Sequence, residues 1–215
     1  MPTINDFWSW FVANEDTYYG FHRMDLEDKN YHLERLLEQL QAFDPCIGVV
    51  LVGPKHLTKA TLTITADGNP NGFLYIQNLV EKAPTLPRWE FVAFIQPSVD
   101  IGACMDGTDP PYEFYRMPVK ISELYWLPLE PEEGDTSGKM NINLYFKGFD
   151  ESVKGLGFEQ VRANISHILQ DLLGELDLER HIGSIHLQDT DPTESPLGLY
   201  DLPAYIYTDE FFNSD

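Results

Sequence analysis

The stretch with the highest density of side chains able to do chemistry is LGELDLERHIGSIHL, residues 173–187. A carboxylate and a single imidazole there could act as a general acid and base, and the candidates are Glu175, Glu179 and His181. His181 and His186 are five residues apart. On a strand this spacing places them on opposite faces, so they cannot bind one metal ion together. We favour the interpretation that these groups decorate a helix end and a surface turn.

A second polar set lies at helical spacing just before this stretch. His167, Asp171 and Glu175 stand at i, i+4 and i+8, which could place a metal-binding or acid–base set on one helix face. The helical wheel puts the leucine stripe of the same segment opposite His167, and Asp171 also falls on the polar side. We therefore interpret this set as a solvated helix face.

Two acidic loops contain enough carboxylates to be considered for calcium binding. The first contains Asp106 and Asp109, and the second contains Asp189, Asp191 and Glu194. Neither loop has the order of ligands found in an EF-hand, and acidic loops are expected by chance in a chain so rich in carboxylates. We predict no metal site in either loop.

Motifs that mark cofactor or hydrolytic chemistry are absent from the sequence. It has no P-loop, no dinucleotide-binding glycine motif, no serine-hydrolase elbow, no H-E-x-x-H and no paired C-x-x-C. The potential nitrogen and sulfur ligands are His22, His32, His56, His167, His181, His186, Cys46 and Cys104. Because they lack the spacing of metal ligands, we expect neither a metal nor a cofactor.

Aromatic side chains on irregular or polar segments are candidates for binding another protein. Trp10 lies off the apolar stripe of its helix and precedes Tyr18 and Tyr19, while Tyr205 and Tyr207 lie among acidic residues near the C-terminus. Exposed aromatic residues are frequent in protein interfaces. The alternative, which we favour, is that these rings fold back and seal the edges of the core.

Periodicity predicts three main helices. The first begins at Ile4, and Thr3 and Asp6 have the spacing of a capping box. A second is expected over about residues 26–42, where leucines recur at helical spacing after a run of acidic residues. A long third helix is expected over about residues 158–176, with a wide apolar stripe.

Strands are indicated by alternating or continuous apolar runs. Residues 46–66 predict a hairpin whose first strand, CIGVVLV, is central and covered on both faces, with Cys46 as a buried thiol. Alternation also predicts strands over residues 99–105, 140–147 and 181–187. The 140–147 segment alternates most regularly, so its apolar side chains should share one buried face.

The order of elements predicts an α+β fold. We expect a mainly antiparallel sheet, with N-terminal helices and a long C-terminal helix packed on it. The 215 residues are 43% hydrophobic, which is sufficient for a substantial core. We expect a single α+β domain over residues 1–188, followed by a Pro-rich acidic and aromatic tail over 189–215 that packs on the domain or extends from it.

Several short motifs resemble those of a family of uncharacterised bacterial proteins with no assigned function. They are FWSWF (7–11), ITADG (64–68), an AP…W…AF run over 83–94 and LGELDLERHIG (173–183). The resemblance spans most of residues 4–187 and implies a bacterial source. The chain departs from the family pattern at His181, where a small or basic residue is commoner. This departure weakens the case for His181 as a catalytic residue.

The charge of the chain limits the class of partner. There are 35 Asp and Glu against 14 Lys and Arg, a formal net charge of −21. Such a field repels phosphate backbones and anionic lipid surfaces and attracts basic partners, so we expect no binding to nucleic acid or membranes. The few cysteines, the lack of a cationic leader and the lack of a long apolar span predict a cytoplasmic protein.

These observations lead to one preferred function and two alternatives. We expect a non-enzymatic protein-interaction module, a monomer or weak dimer, whose acidic face meets a basic protein in an immunity-like or accessory role. One alternative is a small hydrolase or metal-dependent enzyme that uses the 175–186 segment. The other is a small-ligand-binding domain with a pocket between sheet and helices.

Overall fold

The chain has an α+β fold, as predicted, and its elements fall into two compact units, Met1–Ile95 (unit 1) and Gln96–Asp215 (unit 2). The computed structural model describes residues 3–54, 59–114, 117–130, 134, 136–189 and 195–208. The sequence predicted one domain over 1–188 and a tail over 189–215. The observed division lies after Ile95, and residues 195–208 belong to unit 2.

Unit 1 combines three helices with a three-stranded sheet. In chain order its elements are α1 (Ile4–Tyr19), α2 (Leu26–Gln41), β1 (Gly48–Val52), β2 (Ala60–Thr65), α3 (Pro70–Glu81) and β3 (Trp89–Ala93). The predicted capping box at Thr3 and Asp6 begins α1. The sheet order is β1-β2-β3, and the predicted hairpin is confirmed because β1 and β2 pair antiparallel.

Aromatic side chains from α1 form much of the unit 1 core. Phe7, Trp8 and Phe11 are buried, and the ring of Phe11 packs edge-on against Trp89 of β3 at 5.0 Å between centroids. The indole of Trp8 donates a hydrogen bond to the backbone oxygen of Leu79 in α3 at 2.8 Å. The FWSWF motif therefore has a packing role in this unit.

Strand β1 lies at the edge of its sheet and exposes Val50 and Val52, so the prediction of a central strand covered on both faces is wrong. Cys46 is exposed instead of buried. The Asp44 side chain accepts a hydrogen bond from the Cys46 backbone at 2.8 Å and holds that residue in the turn before β1. Ile47 enters the core in its place, while Val50 and Val52 are exposed on the strand.

Unit 2 contains a four-stranded sheet and a two-stranded hairpin. Its elements are α4 (Ile101–Met105), β4 (Tyr112–Phe114), β5 (Met117–Val119), β6 (Tyr125–Leu129), β7 (Met140–Tyr145), α5 (Phe149–Leu156), α6 (Phe158–Leu173), α7 (Glu175–His181), β8 (Ile182–Gln188), β9 (Leu197–Gly198) and α8 (Leu202–Tyr207). The larger sheet has the order β8-β7-β6-β9, and β4 pairs with β5.

Strand β7 is internal and paired on both sides. Met140, Ile142, Leu144 and Phe146 are all buried. They belong to a core that includes the apolar face of α6. The pleat sends alternate residues of a strand to one side, which is why this face could be predicted from the sequence.

Both larger sheets are mixed, although most of their strand pairs are antiparallel. Strand β2 is parallel to β3, and β7 is parallel to β8. A parallel pair needs a long crossover between its strands, and helices supply it in both cases. Helix α3 connects β2 to β3, and the segment α5–α6–α7 connects β7 to β8.

The strand predicted over residues 99–105 is wrong, because residues 101–105 form helix α4. Asp100 caps this helix, and its side chain accepts a hydrogen bond from the backbone of Ala103 at 3.1 Å. A cap of this kind favours a helical turn over an extended chain. The long helix predicted over 158–176 ends at Leu173, and Gly174 separates it from α7.

No helix in the described part of the chain is both long enough and apolar enough to cross a membrane.

Candidate functional site

The three candidate catalytic residues all lie on helix α7 of unit 2, where their environments differ. Glu175 is only 1% exposed, which corrects the expectation that it points outward. Gly174, at φ 78° and ψ 162°, turns the chain sharply, so Glu175 does not continue the polar face of α6. It makes a polar or electrostatic contact of its own. Glu179 instead pairs with the ammonium group of Lys139 at 2.7 Å.

His181 lies beside Asp177 and Tyr207. Its Nε2 is 3.9 Å from the Asp177 carboxylate, and its ring centroid is 6.5 Å from that of Tyr207. The Tyr207 hydroxyl donates a hydrogen bond to Asp177, and this bond raises the pKa of Tyr207. The structure therefore brings together His181, considered in the sequence as a catalytic residue, and Tyr207, considered as a binding residue.

The described residues contain no group of three or more His, Cys, Asp and Glu side chains placed to hold a metal ion. Of the residues considered as ligands in the sequence, His56, Asp191 and Glu194 lie outside the described part of the chain. His167 and Asp171 are 3.7 Å apart on α6, and His167 is largely exposed. His167 is therefore on a solvated face, as the wheel predicted, whereas the Asp171 side chain is only 22% exposed and accepts a hydrogen bond from Tyr112.

The candidate binding aromatics of unit 1 differ in their exposure. Tyr18 is buried, its hydroxyl donates to the backbone oxygen of His32, and burial raises its pKa to about 12. Trp10 is half-buried beside Tyr18, with ring centroids 5.7 Å apart. Tyr19 is also half-buried and lies under the guanidinium of Arg88 at 4.5 Å. These contacts resemble a sealed core edge more than an open binding face.

The candidate binding aromatics of unit 2 are divided in the same way. Tyr205 is half-buried, and its ring packs edge-on against Trp126 at 4.9 Å between centroids. Tyr207 is exposed apart from its hydrogen bond to Asp177. Only Tyr207 presents most of its ring to solvent among these five residues.

A separate concave site lies in unit 2 where the sequence analysis placed no site. A cavity of about 310 Å³ is lined by residues of segments 98–104 and 109–112 and by Ile121. We call it the Asp109 cavity. Its walls are mostly apolar, but Asp100 and Asp109 contribute carboxylates to them. A mostly apolar pocket with a few polar groups is typical of a ligand site.

Asp109 is the unusual residue of this cavity because it is an acidic side chain that is only 5% exposed. One carboxylate oxygen, Oδ2, accepts a hydrogen bond from the backbone of Ser122 at 3.2 Å. The other, Oδ1, is buried and has no hydrogen-bond partner among the described residues. An unpaired carboxylate oxygen is costly to bury, so it calls for an explanation.

Two further titratable side chains line the Asp109 cavity. Burial raises the pKa of the Cys104 thiol to about 11, and the nearby carboxylates of Asp109 and Asp100 add to this effect. The Tyr112 hydroxyl donates to the Asp171 carboxylate at 3.0 Å, and burial together with this bond raises its pKa. Both groups are therefore neutral at neutral pH, and the carboxylates determine the charge of the cavity.

Three exposed carboxylates lie close in sequence to residues that line the cavity. Asp106, Glu113 and Glu123 are exposed, and each lies within two residues of a residue that lines the cavity. We call these three residues the acidic rim. Unit 2 as a whole contains 23 Asp and Glu against seven Lys and Arg, a formal charge of −16, whereas unit 1 has 12 against seven, or −5.

The sequence offered only a weak signal for this site. The DGTDPP loop, residues 106–111, was considered as an acidic loop and dismissed for calcium. Two prolines after Asp109 disfavour both helix and strand, and they restrict the backbone that positions its carboxylate. In the structure Asp109 is buried, and the short 3₁₀ helix Ile121–Glu123 contacts it through the backbone of Ser122.

Comparisons with protein-family models, with curated proteins and with solved structures found no match for this chain.

The two cysteines are expected to react with a thiol reagent at very different rates. Cys46 is exposed and Cys104 is buried. At pH 8 a pKa of about 11 leaves roughly one Cys104 thiol in a thousand ionised, and the thiolate is the reactive form. With Ellman's reagent we expect one fast and one slow thiol, the slow one gaining about tenfold in rate per pH unit between 8 and 9.

The variants Cys46→Ser and Cys104→Ser assign the two phases of this reaction. The first should retain only the slow phase and the second only the fast phase. Equal rates in the native protein would contradict the burial of Cys104.

Proposed function

We propose that this protein is a non-enzymatic, cytoplasmic interaction module whose unit 2 binds a basic protein partner in an immunity-like or accessory role. The observation that carries the proposal is the concentration of negative charge in unit 2, −16 of the total −21. A charge of one sign on one unit speeds the encounter with an oppositely charged partner and selects against acidic ones.

The acidic rim supplies a specific place for this contact. Asp106, Glu113 and Glu123 form no ion pair with the described residues, so their charges are free to meet cations of a partner. Each exposed pair contributes only about 0.2–1 kcal/mol, so several must act together to give useful affinity. The rim provides several within one unit.

The hydrolase alternative at residues 175–186 has less support. A general acid and base must both reach one substrate atom, but Glu175 is buried and Glu179 is paired with Lys139. His181 is directed to Asp177 and Tyr207. The small-ligand alternative has the Asp109 cavity in its favour.

A titration with a basic probe tests the proposed function. The probe is a fluorescein-labelled peptide of alternating Lys and Gly, followed by anisotropy at low and physiological salt. We expect binding that weakens with salt, because exposed charges are screened. Replacing the acidic rim in the triple variant Asp106→Asn, Glu113→Gln, Glu123→Gln should weaken binding roughly tenfold.

A matched triple variant on unit 1 controls for the loss of net charge. Glu27, Glu34 and Glu38 are exposed on α2, and replacing all three by Gln removes the same charge. This control should change the dissociation constant by less than about threefold. Equal weakening by both triple variants, or no binding by the native protein, would contradict the proposal.

A further inference from the structure

We propose that the Asp109 cavity binds a primary ammonium group carried on a short aliphatic chain. The group could belong to a lysine side chain of a partner or to a free alkylamine. If the ammonium group belongs to a lysine of a protein partner, the proposal rests on the proposed function. If it belongs to a free alkylamine, the proposal is independent of that function.

The unpaired oxygen of Asp109 indicates a ligand that donates a proton. Asp109 is more than nine-tenths buried, its Oδ2 is used by Ser122, and its Oδ1 has no hydrogen-bond partner among the described residues. Because Asp109 lines the cavity, a donor bound there can complete the hydrogen bonding of its Oδ1. A charged donor there forms a charge-assisted hydrogen bond, which is stronger than a neutral one.

The charge of the cavity selects a cation over a neutral donor. Asp100 and Asp109 both line it, and both act electrostatically on the Cys104 thiol. Lys120 is next to the lining residue Ile121 in the sequence. Its ammonium group donates a hydrogen bond to the backbone oxygen of Gly107 at 3.4 Å and not to either of these carboxylates. The cavity therefore keeps a negative potential that a bound cation would relieve.

The number of free oxygens selects an ammonium over a guanidinium group. A guanidinium binds a carboxylate best through two parallel hydrogen bonds, which need both oxygens. Asp109 has one unpartnered oxygen, and a guanidinium bound through both oxygens would have to share Oδ2 with the backbone of Ser122. An ammonium group is a compact point charge with three donors that rotate freely, so it can use one oxygen of Asp109 and direct another donor to Asp100.

The walls and volume of the cavity select a short aliphatic chain. Val99, Ala103 and Ile121 present apolar surface, and a methylene chain gains about 0.8 kcal/mol for each CH₂ buried there. A volume of about 310 Å³ is at the lower end for ligand pockets. It suits a group the size of a side chain and is too small for a dinucleotide.

Methyl NMR on the full chain tests the proposal directly. The probe is n-pentylammonium chloride, added at constant ionic strength to protein labelled at Ala and Ile methyl groups. We expect the Ala103 and Ile121 methyl signals to shift and saturate, with a dissociation constant on the order of 1 mM. n-Pentanol, which has the same chain without the charge, and n-butylguanidinium should bind at least about fivefold more weakly.

Two isosteric variants distinguish the effect of the buried Asp109 carboxylate from the effect of lowering the negative charge of unit 2. Asp109→Asn should weaken n-pentylammonium binding at least about tenfold, because a charge-assisted hydrogen bond is lost. Asp106→Asn removes the same charge from an exposed rim position and should change binding by less than about threefold. The n-pentanol comparison needs no variant, so it tests the proposal even if Asp109→Asn does not fold.

The Lys–Gly peptide identifies the source of the ammonium group. If Asp109→Asn weakens both the peptide and n-pentylammonium, the cavity accepts a lysine of a basic partner. If it weakens only n-pentylammonium, or if the native protein binds this amine but no peptide, the cavity takes a free amine. No saturable shift with n-pentylammonium, or binding that Asp109→Asn leaves unchanged, would overturn the proposal whatever the peptide does.

Discussion

Replacing Trp126 by Ala is expected to lower the free energy of unfolding of unit 2 by about 3–5 kcal/mol. Trp126 is 0% exposed and lies on β6 at the centre of the unit 2 core. Its indole donates to the backbone oxygen of Gly198 at 3.2 Å, and its ring packs against Tyr205. The substitution therefore removes a large buried ring and two contacts that hold residues 197–207 against the sheet.

Urea unfolding followed by far-UV circular dichroism measures this loss without using tryptophan fluorescence. Because the chain forms two units, hydrogen exchange of peptides from β7 assigns the change to unit 2. Tyr125→Ala is the matched control: Tyr125 is the neighbouring residue on β6 and is 44% exposed. It should cost less than about 1 kcal/mol. A loss for Trp126→Ala no larger than that of the control would contradict the burial of this ring.

Replacing Gly174 by Ala is expected to cost about 1–3 kcal/mol, because the backbone at this position is almost closed to other residues. Gly174 has φ 78° and ψ 162°, between the end of α6 and the start of α7. A Cβ atom makes this region of φ and ψ unfavourable. The same turn buries Glu175, so the variant should also loosen the segment from 175 to 181.

A second glycine provides a control of opposite sign. Gly155 lies within helix α5, where an added Cβ would meet nothing within 4 Å, and its φ is not positive. Gly155→Ala should stabilise the protein by about 0.5–1 kcal/mol, because Ala loses less backbone entropy in a helix. Urea unfolding of both variants gives the comparison. If Gly174→Ala were as stable as the native protein, the turn between α6 and α7 would not have this backbone conformation.

The sequence was sufficient for elements whose side-chain pattern is local. The capping box at Thr3 and Asp6 depends on residues three apart, and it begins α1 as predicted. The alternation over 140–147 depends on the pleat of one strand, and its buried face is confirmed. The α+β class follows from such elements in order. The roles of Tyr19, Tyr207 and the other candidate binding residues stay predictions, as does the absence of a cofactor.

The sequence was insufficient where a residue's environment depends on distant segments. Cys46 belongs to an apolar run, but β1 begins only at Gly48, so Cys46 lies in an exposed turn before an edge strand. Residues 99–105 alternate, but capping by Asp100 favoured a helix. Periodicity indicates which side chains of an element share one face, but it does not give the position of a strand in its sheet. Whether the other face of the strand is covered depends on segments that are distant in the sequence.

The amino-acid sequence by itself determined the charge of this protein, its main helices and the buried face of β7, because each depends on composition or on residues close in the chain. Only the tertiary structure decided that Glu175 is inside and that Asp109 is a buried carboxylate with one unpaired oxygen. The burial of a charged side chain depends on which segments close over it and on the partners they supply. For Asp109 those segments are residues 98–104 and the turn at Ile121, which no local pattern connects to it.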